Sequence, residues 1–295
     1  MFATLLGPLP RPPLPDDVAA EALLDAVLAA QLDAGLDPQT DGGWPLPDLD
    51  AVAAWRTTQS RAGAMVKAVL LGPISADRPV ETVRATIIGL ADAGCAWIEV
   101  HEPAAVAIGT DGDARARFAD AHRALTADLA GIEGLHLSLA ISGGNADAAG
   151  IHSILTGAYA SLALDLIDGP DNWRLAAAAP SDRGIVCGAL SVHDGADESP
   201  ELLLYAAGYA ASTGGRGPAR VGLATSGSLA ALPWDVAMRK LTRLAEGARL
   251  AAASPDERRA GLDPRAVDIR SAALNTRTRA SRPTRMPRPP RPPHA

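Results

Sequence analysis

Short runs of apolar residues alternate along the chain with longer stretches in which apolar residues recur every three or four positions. The short runs are typical of buried β-strands, and the longer periodic stretches are typical of amphipathic helices. The predicted strands lie at 4–7, 36–41, 66–71, 97–101, 135–141, 161–167, 184–192 and 220–225. Clear helical patterns lie at 16–32, 79–93, 200–211 and 233–250.

This alternation indicates the fold class. About eight strands, most of them followed by a helix, form the pattern of a single (β/α)8 TIM barrel, an α/β fold. A doubly wound open sheet has the same spacing, but no Gly-rich dinucleotide turn follows the first strand, so the barrel is favoured. We predict a barrel domain over 1–255, a connecting segment over 256–270 and a tail over 271–295.

Charge is distributed unevenly between the predicted barrel and the tail. The whole chain carries a net charge of −7, yet residues 271–295 contain only arginines among the charged residue types, together with many prolines. This composition cannot form a packed core, so we expect a disordered, solvated tail. The sequence does not indicate which partner, if any, the tail binds. The remaining body is acidic, which argues against a nucleic-acid surface on the folded domain.

The sequence also predicts where in the cell the protein is located. No stretch approaches the roughly 20 uncharged apolar residues that a membrane span requires. The first residues lack the basic and apolar regions of a secretory signal, so we expect a cytoplasmic protein that does not enter membranes. The two cysteines, Cys95 and Cys187, form no C-x-x-C pair. We expect both to be buried small hydrophobic residues rather than a disulfide or zinc ligands.

In a barrel, the active site is built from side chains at the C-terminal ends of the strands. His101, Glu102 and His193 directly follow predicted strands, which favours acid–base chemistry or the binding of a polar small molecule there. Asp165 is as well suited to capping a helix or a loop as to a functional role. The other polar candidates at strand ends are Asp41, Ser142, Asn145 and Ser226.

Taken in order, several segments resemble the catalytic barrel of the cobalamin-independent methionine synthase family. A-D-A-G-C-A-W-I-E-V-H-E-P-A (91–104) is similar to the family's E-A-G…I-Q-I-D-E-P-A, and G-A-L-S-V-H (188–193) to its G-V-Y-D-I-H. Further similar segments are L-L-G-P-L-P-R-P (5–12), A-G-L-D-P-Q-T-D-G-G (34–43), V-L-L-G-P (69–73), S-G-G-N (142–145) and S-G-S-L-A-A-L-P-W…A-M-R-K-L (226–241). The resemblance implies a TIM barrel that transfers a methyl group from a 5-methyltetrahydrofolate donor to homocysteine.

The resemblance also implies a zinc site, and here the chain departs from the family. The family's zinc holds the homocysteine thiol as a thiolate through a His-x-Cys pair, a Glu and a Cys. The matching positions are Ala140, Ser142, Asp165 and Ser226; in a shifted register the pair falls on His136 and Ser138. Serine hydroxyls are poor zinc ligands and one carboxylate cannot hold zinc tightly, so we predict no metal ligands in this chain.

The positions that bind the substrate's amino group in the family are altered as well. Gly43 stands where the family has the glutamate of D-G-E, and His101 stands where it has the aspartate of I-D-E-P. Glu102, Asn145 and His193 match the family. The resemblance implies a role in proton handling for His193, and we predict Glu102 either as its catalytic partner or as a substrate-binding group.

Three functions are compatible with these residues. The favoured one is a divergent methyltransferase with a 5-methyltetrahydrofolate-type donor and a small acceptor that needs no zinc thiolate. Its predicted catalytic residues are His193 and Glu102. Its predicted substrate-binding residues are His101, Asp41, Asn145, Asp165, Ser142 and Ser226. The second function is an authentic zinc-dependent methionine synthase, which is disfavoured because this chain has no suitably placed cysteine. The third, from another class, is a non-catalytic relative that binds a small molecule or a partner protein.

Overall fold

The structure is a computed structural model that describes residues 1–196, 198–254, 256 and 257. Its strands are β1 (Ala3–Thr4), β2 (Ala68–Leu71), β3 (Trp97–His101), β4 (His136–Ile141), β5 (Ser161–Asp165), β6 (Gly184–Leu190) and β7 (Val221–Thr225). Its helices are α1 (Ala20–Ala34), α2 (Ala51–Arg61), α3 (Pro73–Ala76), α4 (Val80–Asp92), α5 (Gly112–Thr126), α6 (Ile151–Leu155), α7 (Trp173–Ala178), α8 (Pro200–Ser212) and α9 (Trp234–Ala252).

All of these strands belong to one parallel sheet in the order β1-β7-β6-β5-β4-β3-β2. Each pair of neighbours from β2 to β7 is joined by a connection that contains a helix, as parallel pairing requires. Every residue of β3, β5, β6 and β7 is buried, because side chains fill the inner face of the sheet while helices cover the outer face. The architecture is a curled, TIM-like α/β sheet.

Within the described residues, one of the eight predicted strands, the one expected over 36–41, is not formed as a regular strand. The segment predicted over 36–41 makes two isolated bridges, from Asp37 to Ala3 and from Gln39 to Val66, next to the two edges of the sheet. The strand predicted at 4–7 is also shorter, because the backbone N–H of Leu6 donates to the Thr225 hydroxyl instead of to a ladder carbonyl. The two ends of the sheet are therefore joined by a bridging segment rather than by a regular eighth strand.

The alternation of side chains along each strand divides the core into two layers. The outer layer packs between the sheet and the helices and contains most of the buried aliphatic residues. For example, α9 places Leu241, Leu244 and Ala248 there at helical spacing. The inner layer fills the inside of the curled sheet, here called the lumen. Its members are Leu6, Trp97, Ala140, Ala163, Val186 and Ala224.

Two further predictions concern the ends of the chain and membranes. In the part of the chain that the structure describes, no helix is both long and apolar enough to cross a membrane. The tail predicted over 271–295 and nearly all of the connecting segment predicted over 256–270 lie outside the described residues.

Candidate functional site

Three charged or titratable side chains meet inside the lumen. Glu99 and His101 alternate with the outward-facing residues of β3 and share the inward face with Trp97. Oε1 of Glu99 accepts hydrogen bonds from Nζ of Lys67 and Nε2 of His101, each at 2.7 Å. Nζ of Lys67 also donates to the backbone carbonyl of Leu5 at 2.7 Å. The bottom of the site is thus a hydrogen-bonded Lys67–Glu99–His101 cluster.

Burial makes the ionic state of this cluster well defined. The side chains of Lys67 and Glu99 have no solvent exposure. Burial alone would raise the pKa of Glu99, but the Lys67 ammonium and the hydrogen bond from His101 outweigh it and lower that pKa to about 2. Burial lowers the pKa of Lys67, and the Glu99 carboxylate opposes this shift. Glu99 is therefore an anion near neutral pH, and it orients the His101 imidazole.

Apolar side chains stand beside this cluster on β2. Val69 pairs in register with Glu99, and Leu71 pairs with His101. Although both are large hydrophobic residues, Val69 is 39% exposed and Leu71 is 54% exposed. A cleft of about 220 Å³ lies on the helix-covered side of β2, where Ala68, Leu70, Trp55 of α2 and Asp41 line it. On the inward face, Val69 and Leu71 therefore form an exposed apolar surface next to the polar cluster, here called the β2 wall.

Ser142 and Ser226 lie at the ends of β4 and β7, respectively. Ser226 lies on the inward face, because it is two residues beyond Ala224. A Cβ atom at the neighbouring Gly227 would lie 3.7 Å from Cβ of Ser142. Oγ of Ser226 is buried and has no hydrogen-bond partner, and the same is true of Oε2 of Glu99. The loop that follows β7 thus comes close to Ser142 at the C-terminal ends of the strands.

The other predicted polar groups are held by their own loops. Asp165 accepts hydrogen bonds from the backbone N–H groups of Gly143, Ile167 and Asp168, at 2.9–3.1 Å. Asn145 accepts from the backbone of Asp171 at 2.8 Å. Asp41 accepts from the N–H of Gly43 at 2.9 Å, while burial raises the pKa of Asp41. These residues shape the loops at the strand ends.

Glu102 lies on the other side of the sheet from His101. It is fully buried, and its carboxylate accepts the backbone N–H groups of Ile74 and Ser75 at the start of α3. Nε2 of His122, on α5, lies 3.2 Å from Oε1 of Glu102. These are the contacts of a helix cap. The structure does not bring Glu102 to His193, because consecutive residues at a strand end face opposite ways.

His193 lies on the loop after β6, at the same end of the sheet as His101. Its side chain is 60% exposed, and its Nε2 lies 2.7 Å from Oδ1 of Asp168, on the loop after β5. The hydrogen bond and the negative charge of Asp168 raise the pKa of His193 above its ordinary value. This His–Asp pair therefore favours the protonated imidazolium at the rim of the site.

We expect an NMR titration of His193 to give a pKa above 6.5 in the native chain and a lower value in Asp168→Asn. Because the folded-state pKa is raised, this pair stabilises the fold below pH 6.5 and loses that contribution as the pH rises through the folded pKa. Asp194→Asn is the matched control, since Asp194 accepts the N–H of Gly195. An equal decrease in both variants would contradict a specific His193–Asp168 contact.

The residues at the positions that match the family's zinc ligands do not suit zinc. Ala140 fills the lumen with a buried methyl group, and Ser142 and Ser226 offer neutral hydroxyls. The oxygens of Asp165 are engaged by three backbone N–H groups. Among the described residues, no group of three or more His, Cys, Asp or Glu side chains is arranged to hold a metal ion.

Comparison with known proteins adds information on the fold. No protein-family model matches the chain, and no curated protein matches it. A solved B12-independent methionine synthase from Shewanella sp. W3-18-1, in complex with selenomethionine, superposes with a TM-score of 0.66 at 13% identity, covering 84% of this chain and 96% of that one. A Listeria monocytogenes protein, provisionally described as a vitamin-B12-independent methionine synthase, gives 0.67 at 12% identity, covering 86% and 98%. At such low identity the likeness shows a shared fold, and function must be argued from the site.

Proposed function

We propose that the chain is a zinc-independent methyltransferase that passes a methyl group from a 5-methyltetrahydrofolate-type donor to a small acceptor in the lumen. The observation that carries the proposal is the Lys67–Glu99–His101 cluster beside an open apolar wall. A base held by a buried carboxylate is a standard arrangement for activating a weak nucleophile. The methyl donor is proposed on the sequence resemblance, and the methionine-synthase-like fold is compatible with it.

In the proposed reaction, every proton and electron pair is accounted for without a metal ion. The acceptor carries a thiol or hydroxyl group, which loses its proton to the free nitrogen of His101 as its sulfur or oxygen bonds to the methyl carbon. The bond between that carbon and the donor nitrogen breaks, and its electron pair stays on the nitrogen. His193, whose pKa is raised by Asp168, supplies a proton to that nitrogen. The proton taken by His101 then returns to solvent and His193 regains one from solvent, which restores the site.

The roles of the remaining predicted residues follow from their contacts. We propose that Ser142 and Ser226 touch the acceptor, whereas Asp41, Asn145 and Asp165 hold the loops that enclose it. Glu102 supports the site indirectly, because its carboxylate caps α3 next to the end of β3. Its catalytic role stays a prediction from the sequence that these contacts do not favour.

The absence of zinc is tested by metal analysis. We expect the purified chain to contain far less than one zinc ion per molecule after incubation with excess zinc, because tight tetrahedral sites need three or four Cys, His or carboxylate ligands. The quadruple variant Ala140→His, Ser142→Cys, Asp165→Glu, Ser226→Cys should gain zinc. Stoichiometric zinc in the unmodified chain, lost in Asp165→Ala, would instead indicate an authentic methionine synthase.

A further inference from the structure

We infer that the acceptor bound in the lumen is a neutral molecule with an apolar body and one thiol or hydroxyl group, not an amino acid. This inference rests on the proposed function and specifies its substrate. The resemblance by itself implies homocysteine, which carries an ammonium and a carboxylate. The charges and surfaces of this site select against both.

The charged side chains inside the lumen are already paired with each other. The lumen carboxylate, Glu99, already accepts the ammonium of Lys67, which is supplied by the chain itself. Asp165 is engaged by backbone N–H groups, and Asp168 is engaged by His193. None of the site's described side chains presents a free ammonium or guanidinium for a ligand carboxylate. A bound amino acid would therefore leave its charges desolvated and unpaired, which is costly.

The polar groups that remain unpaired suit a single neutral donor. Oε2 of Glu99 and Oγ of Ser226 are buried without hydrogen-bond partners. Such atoms are rare in folded proteins and call for a partner that can donate a proton. The first is an acceptor only, and the second can donate or accept. One hydroxyl or thiol group that enters the lumen brings in no net charge, and it can accept from Oγ of Ser226 while its own proton goes to His101.

The apolar body of the acceptor is expected against β2. Val69 and Leu71 are exposed at the inner face although they are large and aliphatic. A ligand that covers them removes apolar surface from water, which favours binding by about 25 cal/mol per Å². An ammonium or carboxylate placed against the same wall would be desolvated instead. The wall and the cluster together therefore define an amphipathic, uncharged ligand.

Two thiols of matched chain length test this inference. 1-Butanethiol has the sulfur and four carbons of homocysteine without its charged groups. Binding is followed by the methyl NMR signals of Val69 in the labelled full chain, without any methyl donor. We expect 1-butanethiol to bind at least about tenfold more tightly than homocysteine, since one unpaired charge costs more than the 1.4 kcal/mol that a tenfold change represents. In Leu71→Arg, where a guanidinium replaces an exposed side chain, the preference should shift towards homocysteine; Leu71→Gln, of similar size and uncharged, should retain it.

Each outcome is decisive for the acceptor class. Equal or tighter binding of homocysteine by the native chain would overturn the inference, and so would the absence of any response to 1-butanethiol up to its solubility limit. An unchanged preference in Leu71→Arg would show that the β2 wall does not contact the ligand, which also contradicts it. The proposed function can fail separately: if 1-butanethiol binds as expected but no methyl group is ever transferred, the site is a binding site without this activity.

Discussion

Replacing Lys67 with methionine should lower the free energy of unfolding by about 3–5 kcal/mol, because it leaves the Glu99 carboxylate buried without its cation. The two side chains lie 2.7 Å apart with no solvent exposure, so no water can replace the lost ammonium. Methionine retains much of the lysine volume, so the loss reports on charge rather than on a cavity. Urea unfolding of the native and variant chains measures the difference.

The double variant Lys67→Met, Glu99→Gln distinguishes charge from packing. If the loss in Lys67→Met comes from an unpaired carboxylate, then removing that charge should recover a large part of the stability. Arg239→Met is the matched control, because its partner Asp235 forms an exposed ion pair that is worth less than about 1 kcal/mol. A loss in Lys67→Met no greater than in this control would show that the buried pair does not stabilise the lumen.

The second large effect concerns turnover. We expect His101→Gln to reduce the formation of tetrahydrofolate from 5-methyltetrahydrofolate by about 10²–10⁴-fold, since a positioned general base contributes about that much. Glutamine can still hydrogen-bond to Glu99 but cannot accept the acceptor's proton at neutral pH. His152→Gln makes the same chemical change at an exposed position of α6 and should retain the native rate. Comparable rates in both variants would remove His101 from the reaction.

The alternation of apolar runs and helical patterns predicts most of the fold but not its closure. The parallel order from β2 to β7 follows from strands separated by helices. The regular strand expected at 36–41 is missing because its pairing depends on contacts with both edges of the sheet, which lie far from it in sequence. Pro38 also offers no backbone N–H to a ladder. Local sequence patterns do not contain this information.

The candidate site could be predicted in part. His101, Ser142 and Ser226 lie at strand ends and face inward, as the barrel pattern indicates. Glu102 faces outward, because consecutive residues of a strand point to opposite faces of the sheet. Its position next to His101 in the sequence had suggested that both belong to one site. Lys67 and Glu99 were not predicted as site residues, because each lies within an otherwise apolar predicted strand. The ion pair between them connects two different strands, which a local sequence pattern cannot show. A charged residue on the inward face of a buried strand was the signal that could have revealed them.

One measurement tests zinc-independent methyl transfer directly. The purified chain is incubated with 5-methyltetrahydrofolate and an equimolar mixture of homocysteine, 1-butanethiol and 1-butanol, with and without a chelator, and tetrahydrofolate is quantified by mass spectrometry. We expect tetrahydrofolate and one methylated acceptor to form in equal amounts, at a rate that the chelator does not change. Formation that the chelator abolishes and zinc restores would contradict this expectation, and no formation with any acceptor would favour a non-catalytic binding protein.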